Sequence, residues 1–208
     1  MRDIIEVIKD TDIEDLTDKQ LVADLIREYG LHSDPLITQA YGEKNQDCLV
    51  SEGMIQIPEQ LAGALIYLST FSVKDYLEIG TFNGRATLFI TAYLTRFNPD
   101  FETLTVDNLR VFTNPYPYLK IVQHLGTSDD LKGRKSDLCF IDGDHSLRWI
   151  KRDYENVGRF AKICMFHDIL ETEIINNKAM NAKTHWQSIK RPTSKEFTDG
   201  GRFGIGIL

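Results

Sequence analysis

Four short stretches of the sequence combine residue types that can do chemistry. Glu78-Ile-Gly80-Thr81-Phe82-Asn83-Gly84 places two glycines around a tight turn behind an apolar run. Such glycines let the backbone bend sharply and let a ligand approach it, while a following helix start offers free N–H groups. Asp107-Asn108 ends the run Leu104-Thr-Val, and a carboxylate there can accept hydrogen bonds from a pair of hydroxyls. Asp142-Gly-Asp144-His145 and His167-Asp168 each follow an apolar run of strand length. Asp142 and Asp168 are hard oxygen donors of the kind Mg²⁺ and Mn²⁺ take, and His167 is a further candidate ligand. His145 titrates near neutral pH and can accept a proton. Each has a plainer reading as well. Asp107 serves equally as a β-turn acid, Asp144 or His145 as a helix cap, and His167 as a strand-end histidine satisfied by backbone groups.

The elements that must position these groups alternate in type. Apolar runs at 75–79, 103–106, 120–122, 137–141 and 163–166 predict strands. Residues 85–97 carry apolar side chains at 86, 89, 90, 93 and 97, the spacing of one helix face. Another helix is predicted over 147–154, and one from Pro58 through Leu68, with proline in the first turn. Strand and helix in alternation imply a mostly parallel sheet covered on both faces. Residues 195–198 and 202–208 flank Asp199-Gly-Gly and predict an antiparallel hairpin at the sheet edge. Before the sheet, residues 1–30 read as helical. Thr17 is the expected N-cap with Gln20 three residues on, and Gly30 the expected stop. Residues 31–53 read as loop.

The glycine turn narrows the possibilities. A dinucleotide fold uses G-x-G-x-x-G, with glycine where the pyrophosphate passes; here that position is Phe82. The form E-x-G-x-x-x-G resembles the first motif of class I S-adenosylmethionine-dependent methyltransferases, closest to the catechol-type and macrolide-sugar-type O-methyltransferases. The resemblance runs from about Gln56 to Leu208, with the other landmarks in the family's order. It implies an α/β, Rossmann-like fold with a seven-stranded sheet, order 3-2-1-4-5-7-6, behind a helical N-terminal extension. The expected division is an extension or lid over 1–57 and a methyltransferase domain over 58–208. Cofactor contacts then fall on Glu78, Gly80, Thr81, Asn83, Gly84, Asp107, Asn108, Ser128 and Asp142. Asp107 would hold the ribose hydroxyls, and Ser128, in His124-Leu-Gly126-Thr-Ser128-Asp129, the adenine edge; a helix cap is the plain alternative for Ser128. Catechol-type relatives place a lysine base, and macrolide-sugar relatives a histidine, in the slot of His145. Asp142, Asp168 and His167 would hold Mg²⁺ or Mn²⁺.

Three departures from the family pattern stand out. Phe160-Ala-Lys162 replaces the usual Pro-Gly-Gly turn, Arg85-Ala86 replaces an aromatic or serine, and His167 occupies a place beside Asp168 where an acid or amide is usual. Asn114-Pro-Tyr-Pro-Tyr118 resembles the Asn-Pro-Pro-Tyr of amino-methyltransferases acting on nucleic-acid bases. Its order differs and it follows the second strand, so it reads as a rigid loop over the crevice. Trp186 is expected in the core.

Composition bounds the function classes. With 24 Lys+Arg against 31 Asp+Glu, the net charge of −7 argues against nucleic acid as partner. Three cysteines without a C-x-x-C pair argue against a disulfide framework or zinc ribbon. No apolar stretch approaches the roughly 20 residues that span a bilayer, and the amino terminus does not read as a signal peptide. The expectation is a cytoplasmic enzyme methylating a hydroxyl of a small molecule, sugar or polyol-like, with metal assistance and homo-oligomerisation both allowed. The competing class is an adenosine-binding or interaction protein that keeps the fold without the chemistry.

Overall fold

A computed structural model describes residues 2–41, 43–109, 111–171, 174–175, 178–179 and 181–208. Helices α1 (Ile4–Asp10) and α2 (Lys19–Tyr29) lead the chain. The cap of α2 is Asp18, whose carboxylate accepts from Leu21 N at 2.9 Å. Thr17, the expected cap, lies inside a 3-10 turn and donates its hydroxyl back to the Glu14 carbonyl at 2.6 Å. Gln20 donates to Asp24 and does not reach back. Gly30, at φ 105°, ends α2 as expected.

Residues 31–53 correct the loop expectation. They hold β1 (Leu31–His32) paired in parallel with β2 (Leu49–Val50), helix α3 (Pro35–Tyr41) and a 3-10 helix, Glu43–Cys48. Two-residue strands have no periodicity to read, and their pairing is a long-range event. Helix α4 (Pro58–Ser69) starts on proline as expected.

The sheet follows. Parallel strands β3 (Asp75–Ile79), β4 (Glu102–Asp107), β5 (Ile121–Leu125), β6 (Ser136–Ile141) and β7 (Ala161–Phe166) are joined through helices α5 (Arg85–Phe97), between β3 and β4, and α6 (Leu147–Asn156), between β6 and β7. A small antiparallel pair, β8 (Ile174–Ile175) and β9 (Lys178–Ala179), precedes α7 (Ala182–Ile189), and β10 (Lys195–Phe197) and β11 (Ile205–Ile207) close the chain. The order is β10-β11-β7-β6-β3-β4-β5, the expected 3-2-1-4-5-7-6 read from its other edge. The final hairpin is antiparallel, also as expected. Strand β5 runs further than predicted, to Leu125, because an edge strand exposed on one side needs no continuous apolar run.

Alternation along the strands divides the core. Tyr76, Leu138, Phe140 and Met165 face one layer with α1, α2, α4 and α5. Leu77, Ile79, Cys139, Ile141 and Phe166 face the other, with Ile150 and the buried Trp186. The N-terminal helices therefore complete one of the two apolar layers. Among the described residues, no helix is long and apolar enough to cross a membrane.

Candidate active site

The carboxyl ends of β3, β4, β6 and β7 open on one side of the sheet, where α/β folds bind ligands. The turn after β3 is built on Gly80, at φ 100°. A Cβ there would lie 2.2 Å from the carbonyl oxygen of Asp142, so glycine is what lets the ends of β3 and β6 come this close. Gly84, at φ 77°, starts α5, and a Cβ on it would strike the ring of Phe112 at 2.2 Å. Between them Phe82 takes the left-handed region at φ 51° and gives its N–H to Asp107 Oδ2 at 2.9 Å. Asp107 Oδ1 accepts from Leu109 N at 2.8 Å. Asn83 ties the turn outward, donating to the Gly53 carbonyl at 2.9 Å.

Two cavities meet at this turn. The larger, about 570 Å³, is bordered by Asp107, Asn108, Ser128, Trp149 and Asp153. The smaller, about 200 Å³, is bordered by Met54, Gln56, Thr81, Asn83, His145 and His167. Gly80, Phe82, Asp142 and Gly143 border both. Of the site residues singled out in the sequence, Glu78, Gly84 and Asp168 border neither. Glu78 lies beneath the turn, 1% exposed, accepting hydrogen bonds from the Thr87 and Thr105 hydroxyls. Burial raises its carboxyl to about 8, against those two hydrogen bonds, so it is neutral at pH 7.

At the inner end of the smaller cavity, Asp142 and His145 from the β6 side meet His167 and Asp168 from the end of β7. His167 Nδ1 is 3.0 Å from Asp142 and 3.1 Å from Asp168. His145 Nε2 is 3.3 Å from Asp142, and its Nδ1 contacts Asp168. Asp168 takes the left-handed region at φ 60°, in a turn closed by Glu171 N on its carbonyl. Gln56 covers the group, giving Nε2 to Asp142 Oδ2 at 2.9 Å.

The four groups set one another's charge. Burial opposes ionisation of Asp142, but the charge of His167 and hydrogen bonds from both histidines override it and hold the carboxyl at about 2. Asp168 is likewise lowered against burial, by His145 and His167. Burial pulls both imidazoles down; Asp168 and Asp142 lift His145 well above its ordinary value, and His167 rises for the same reason. Asp142, His145 and His167 offer donor atoms all within 4.8 Å of one another. Nε2 of His167 and Oε1 of Gln56 are buried with no hydrogen-bond partner among the described residues.

Several residues with clear places here were not legible in the sequence. Gln56, Met54 and Asp153 carry no spacing signal, because the contacts they make are tertiary. Arg85, unexplained by its position at a helix start, lays its guanidinium 3.7 Å from the centre of the Tyr29 ring and donates to the Tyr29 carbonyl. It clamps α5 to the end of α2. The loop Asn114–Tyr118 corrects another expectation: it borders neither cavity. Tyr116 donates to Asp3 at 2.8 Å and Lys9 sits 4.7 Å over Tyr118, so the loop packs on α1.

No family model and no curated protein matches this sequence. Solved structures do match it. An O-methyltransferase from Bacillus cereus, in complex with S-adenosylhomocysteine, aligns over 94% of this chain and 98% of its own at 15% identity, TM-score 0.54. TomG, an O-methyltransferase from Streptomyces achromogenes solved with S-adenosylmethionine, aligns over 85% and 90% at 15% identity, TM-score 0.52. CalS11, a TDP-rhamnose 3'-O-methyltransferase of calicheamicin biosynthesis, aligns over 96% and 95% at 15% identity, TM-score 0.50. The chain therefore has the Rossmann-like fold of the class I S-adenosylmethionine-dependent O-methyltransferases.

Proposed function

We propose that the protein is an S-adenosylmethionine-dependent methyltransferase acting on a hydroxyl of a small molecule, sugar or polyol-like, with a divalent metal. The observation that carries this reading is the convergence of a ligand-sized crevice and the Asp142–His145–His167–Asp168 cluster at one glycine turn. The larger cavity is within the roughly 300–1,000 Å³ range of small-molecule sites. Bound there, S-adenosylmethionine supplies an electrophilic methyl group.

In this reading Asp107 takes the ribose hydroxyls. Its oxygens accept the backbone N–H groups of Phe82 and Leu109, which fix the carboxylate at the border of the larger cavity. Gly80, Thr81, Asn83 and Gly84 shape the turn, Glu78 braces it from below, and Asn108, Ser128 and Asp142 border the cavity. Residues 1–57 serve as the cover, since Met54 and Gln56 reach the smaller cavity and Gln56 bonds Asp142. The donor atoms that converge within 4.8 Å belong to Asp142, His145 and His167. In this reading Asp142 and His167 would hold a divalent cation with Asp168, which contacts both histidines, and imidazole beside carboxylate favours Mn²⁺ over Mg²⁺. Its chemistry would be to orient and acidify the acceptor hydroxyl. His145 is the proposed base, anchored through Nδ1 on Asp168 and receiving the proton at Nε2. Flanked by Asp142 and Asp168, His145 holds a proton already; it would become a base once a held cation matched the charge of those carboxylates.

That same charge balance favours the second reading, an adenosine-binding protein without turnover, because protons on the imidazoles already neutralise the carboxylates. Isothermal titration with S-adenosylhomocysteine, with and without Mn²⁺ or Mg²⁺, tests the shared cofactor claim. Binding should be present in the intact protein and weakened about tenfold or more in Asp107→Ala, the loss of charge-assisted hydrogen bonds. No binding by the intact protein overturns both readings. Methyl transfer to any hydroxyl acceptor then separates them.

A further inference from the structure

The two edges of the sheet are finished differently. On one side β10 has three residues, Lys195-Glu196-Phe197, and Glu196 is held by Lys190 at 2.9 Å and by the indole N–H of Trp186. Short, charged edges of this kind resist further pairing. On the other side β5 reads Ile121-Val-Gln-His-Leu125, with neither proline nor any Lys, Arg, Asp or Glu. Val122 on one face and Leu125 on the other are 64% and 61% exposed. Such an edge is open to another strand.

The main-chain groups of β5 have a definite direction. Its ladder with β4 opens with Thr103 N–H on the Lys120 carbonyl and closes with Gly126 N–H on the Asp107 carbonyl, both at 2.9 Å. Alternate residues of a strand address the same neighbour, so Lys120, Val122, His124 and Gly126 point to β4. Ile121, Gln123 and Leu125 therefore turn their N–H and C=O groups outward, where no further strand lies among the described residues. The Gln123 side chain is already paired. It accepts from Phe112 N at 2.7 Å and donates to the Phe112 carbonyl at 2.8 Å, so it makes no demand on that edge.

We propose that β5 pairs antiparallel with β5 of a second copy of this chain, about a twofold axis through Gln123, joining the two seven-stranded sheets. The strand is complementary to itself in that register. Ile121 faces the partner's Leu125 and Gln123 faces the partner's Gln123, so every outward group finds a mate, about six hydrogen bonds in all. The partner's Leu125 covers Ile121 on one face. On the other, the partner's His124 covers Val122, and the two Val122 side chains become diagonal neighbours. Charge agrees as well. Asp130 Oδ2 sits 3.3 Å from His124 Nε2, on the face that carries Lys120. Antiparallel pairing brings Lys120 of each copy toward the partner's Asp130 at both ends, which favours a second copy over an unrelated strand. The pairing does not depend on what the crevice binds.

Light scattering during size-exclusion chromatography of the full chain tests this, together with amide hydrogen exchange. The wild-type protein should elute at twice the chain mass, with the Ile121, Gln123 and Leu125 amides protected. Val122→Lys places like charges at the diagonal contact, on a side chain already exposed. It should weaken the dimer about tenfold or more and deprotect those three amides. Leu125→Lys should do the same from the other face, which keeps the test open if one variant fails to fold. Phe160→Lys, at a 40% exposed side chain beside β7, should stay dimeric. A monomeric wild-type protein overturns the proposal. So does a dimer whose three amides exchange freely, one that both β5 variants leave intact, or one that Phe160→Lys breaks equally.

Discussion

Glu78 in β3 and Asp168 in the turn after β7 are both buried carboxyls, 1% and 3% exposed, yet they are driven in opposite directions. Glu78 is surrounded by the hydroxyls of Thr87 and Thr105 and is raised to about 8. Asp168 touches His145 and His167 and is lowered. Depth is the same; the partners differ. A neutral donor only softens the cost of a buried charge, whereas an imidazole can carry the opposite charge and cancel it. The first carboxyl is therefore a neutral brace under the glycine turn. The second belongs to a set in which imidazoles and carboxylates hold each other ionised.

The comparison can be broken most severely at the proposed base. His145→Ala should leave S-adenosylhomocysteine affinity nearly unchanged and lower turnover about 10²- to 10⁴-fold, the usual weight of a general base. Full activity at neutral pH would remove His145 from the mechanism. Next comes Asp168→Asn, which leaves two imidazoles facing one carboxylate. Breaking a buried pair this way costs about 3–5 kcal/mol, read as a drop in denaturant midpoint at pH 7. The acid limb of the stability curve should change too. Asp142 and Asp168 both have lowered folded-state values, so their contribution is present above the ordinary 3.8 and is lost as pH falls below it, for Asp142 through about 2. An Asp168→Asn variant that keeps the wild-type acid limb would show that the pair contributes nothing to it.

Glu78→Gln should have the smallest effect, about 1 kcal/mol at pH 5, since an amide replaces a neutral acid in the same hydrogen bonds. Its signature lies at higher pH. With a folded-state value of about 8 against an ordinary 4.5, Glu78 contributes stability fully present below 4.5 and lost as pH rises through 8. The glutamine variant should flatten that slope, and chemical denaturation at pH 5 and pH 8 would reveal it. An unchanged slope would mean Glu78 is ionised in the folded protein.

Much of the frame was legible because its signals are local. The apolar runs of β3, β4, β6 and β7, the face of α5 and the proline at the start of α4 each express a preference within a few residues. The acids at the strand ends were legible for the same reason, since a strand that stops at Asp107 or Asp142 puts them at a sheet edge. The β1–β2 pair was not, because neither two-residue strand has a pattern without the other. Thr17 and Asp18 were exchanged as caps since both residue types suit the position, and only the path of the preceding 3-10 turn chose between them. The tyrosines of Asn114–Tyr118 went to α1, a partner more than a hundred positions away.

By itself the sequence determined the alternation of elements, the glycine turn and the supply of carboxylates and imidazoles at strand ends, all of which depend on residue type and short-range spacing. Tertiary structure alone decided which of these groups touch. Glu78 fell below the turn among hydroxyls, Ser128 turned its proton to Asp153, Gln56 reached Asp142, and the two histidines closed on the two aspartates. Charge state and ligand capacity follow from such neighbours, and neighbours are set by how the strands and helices pack.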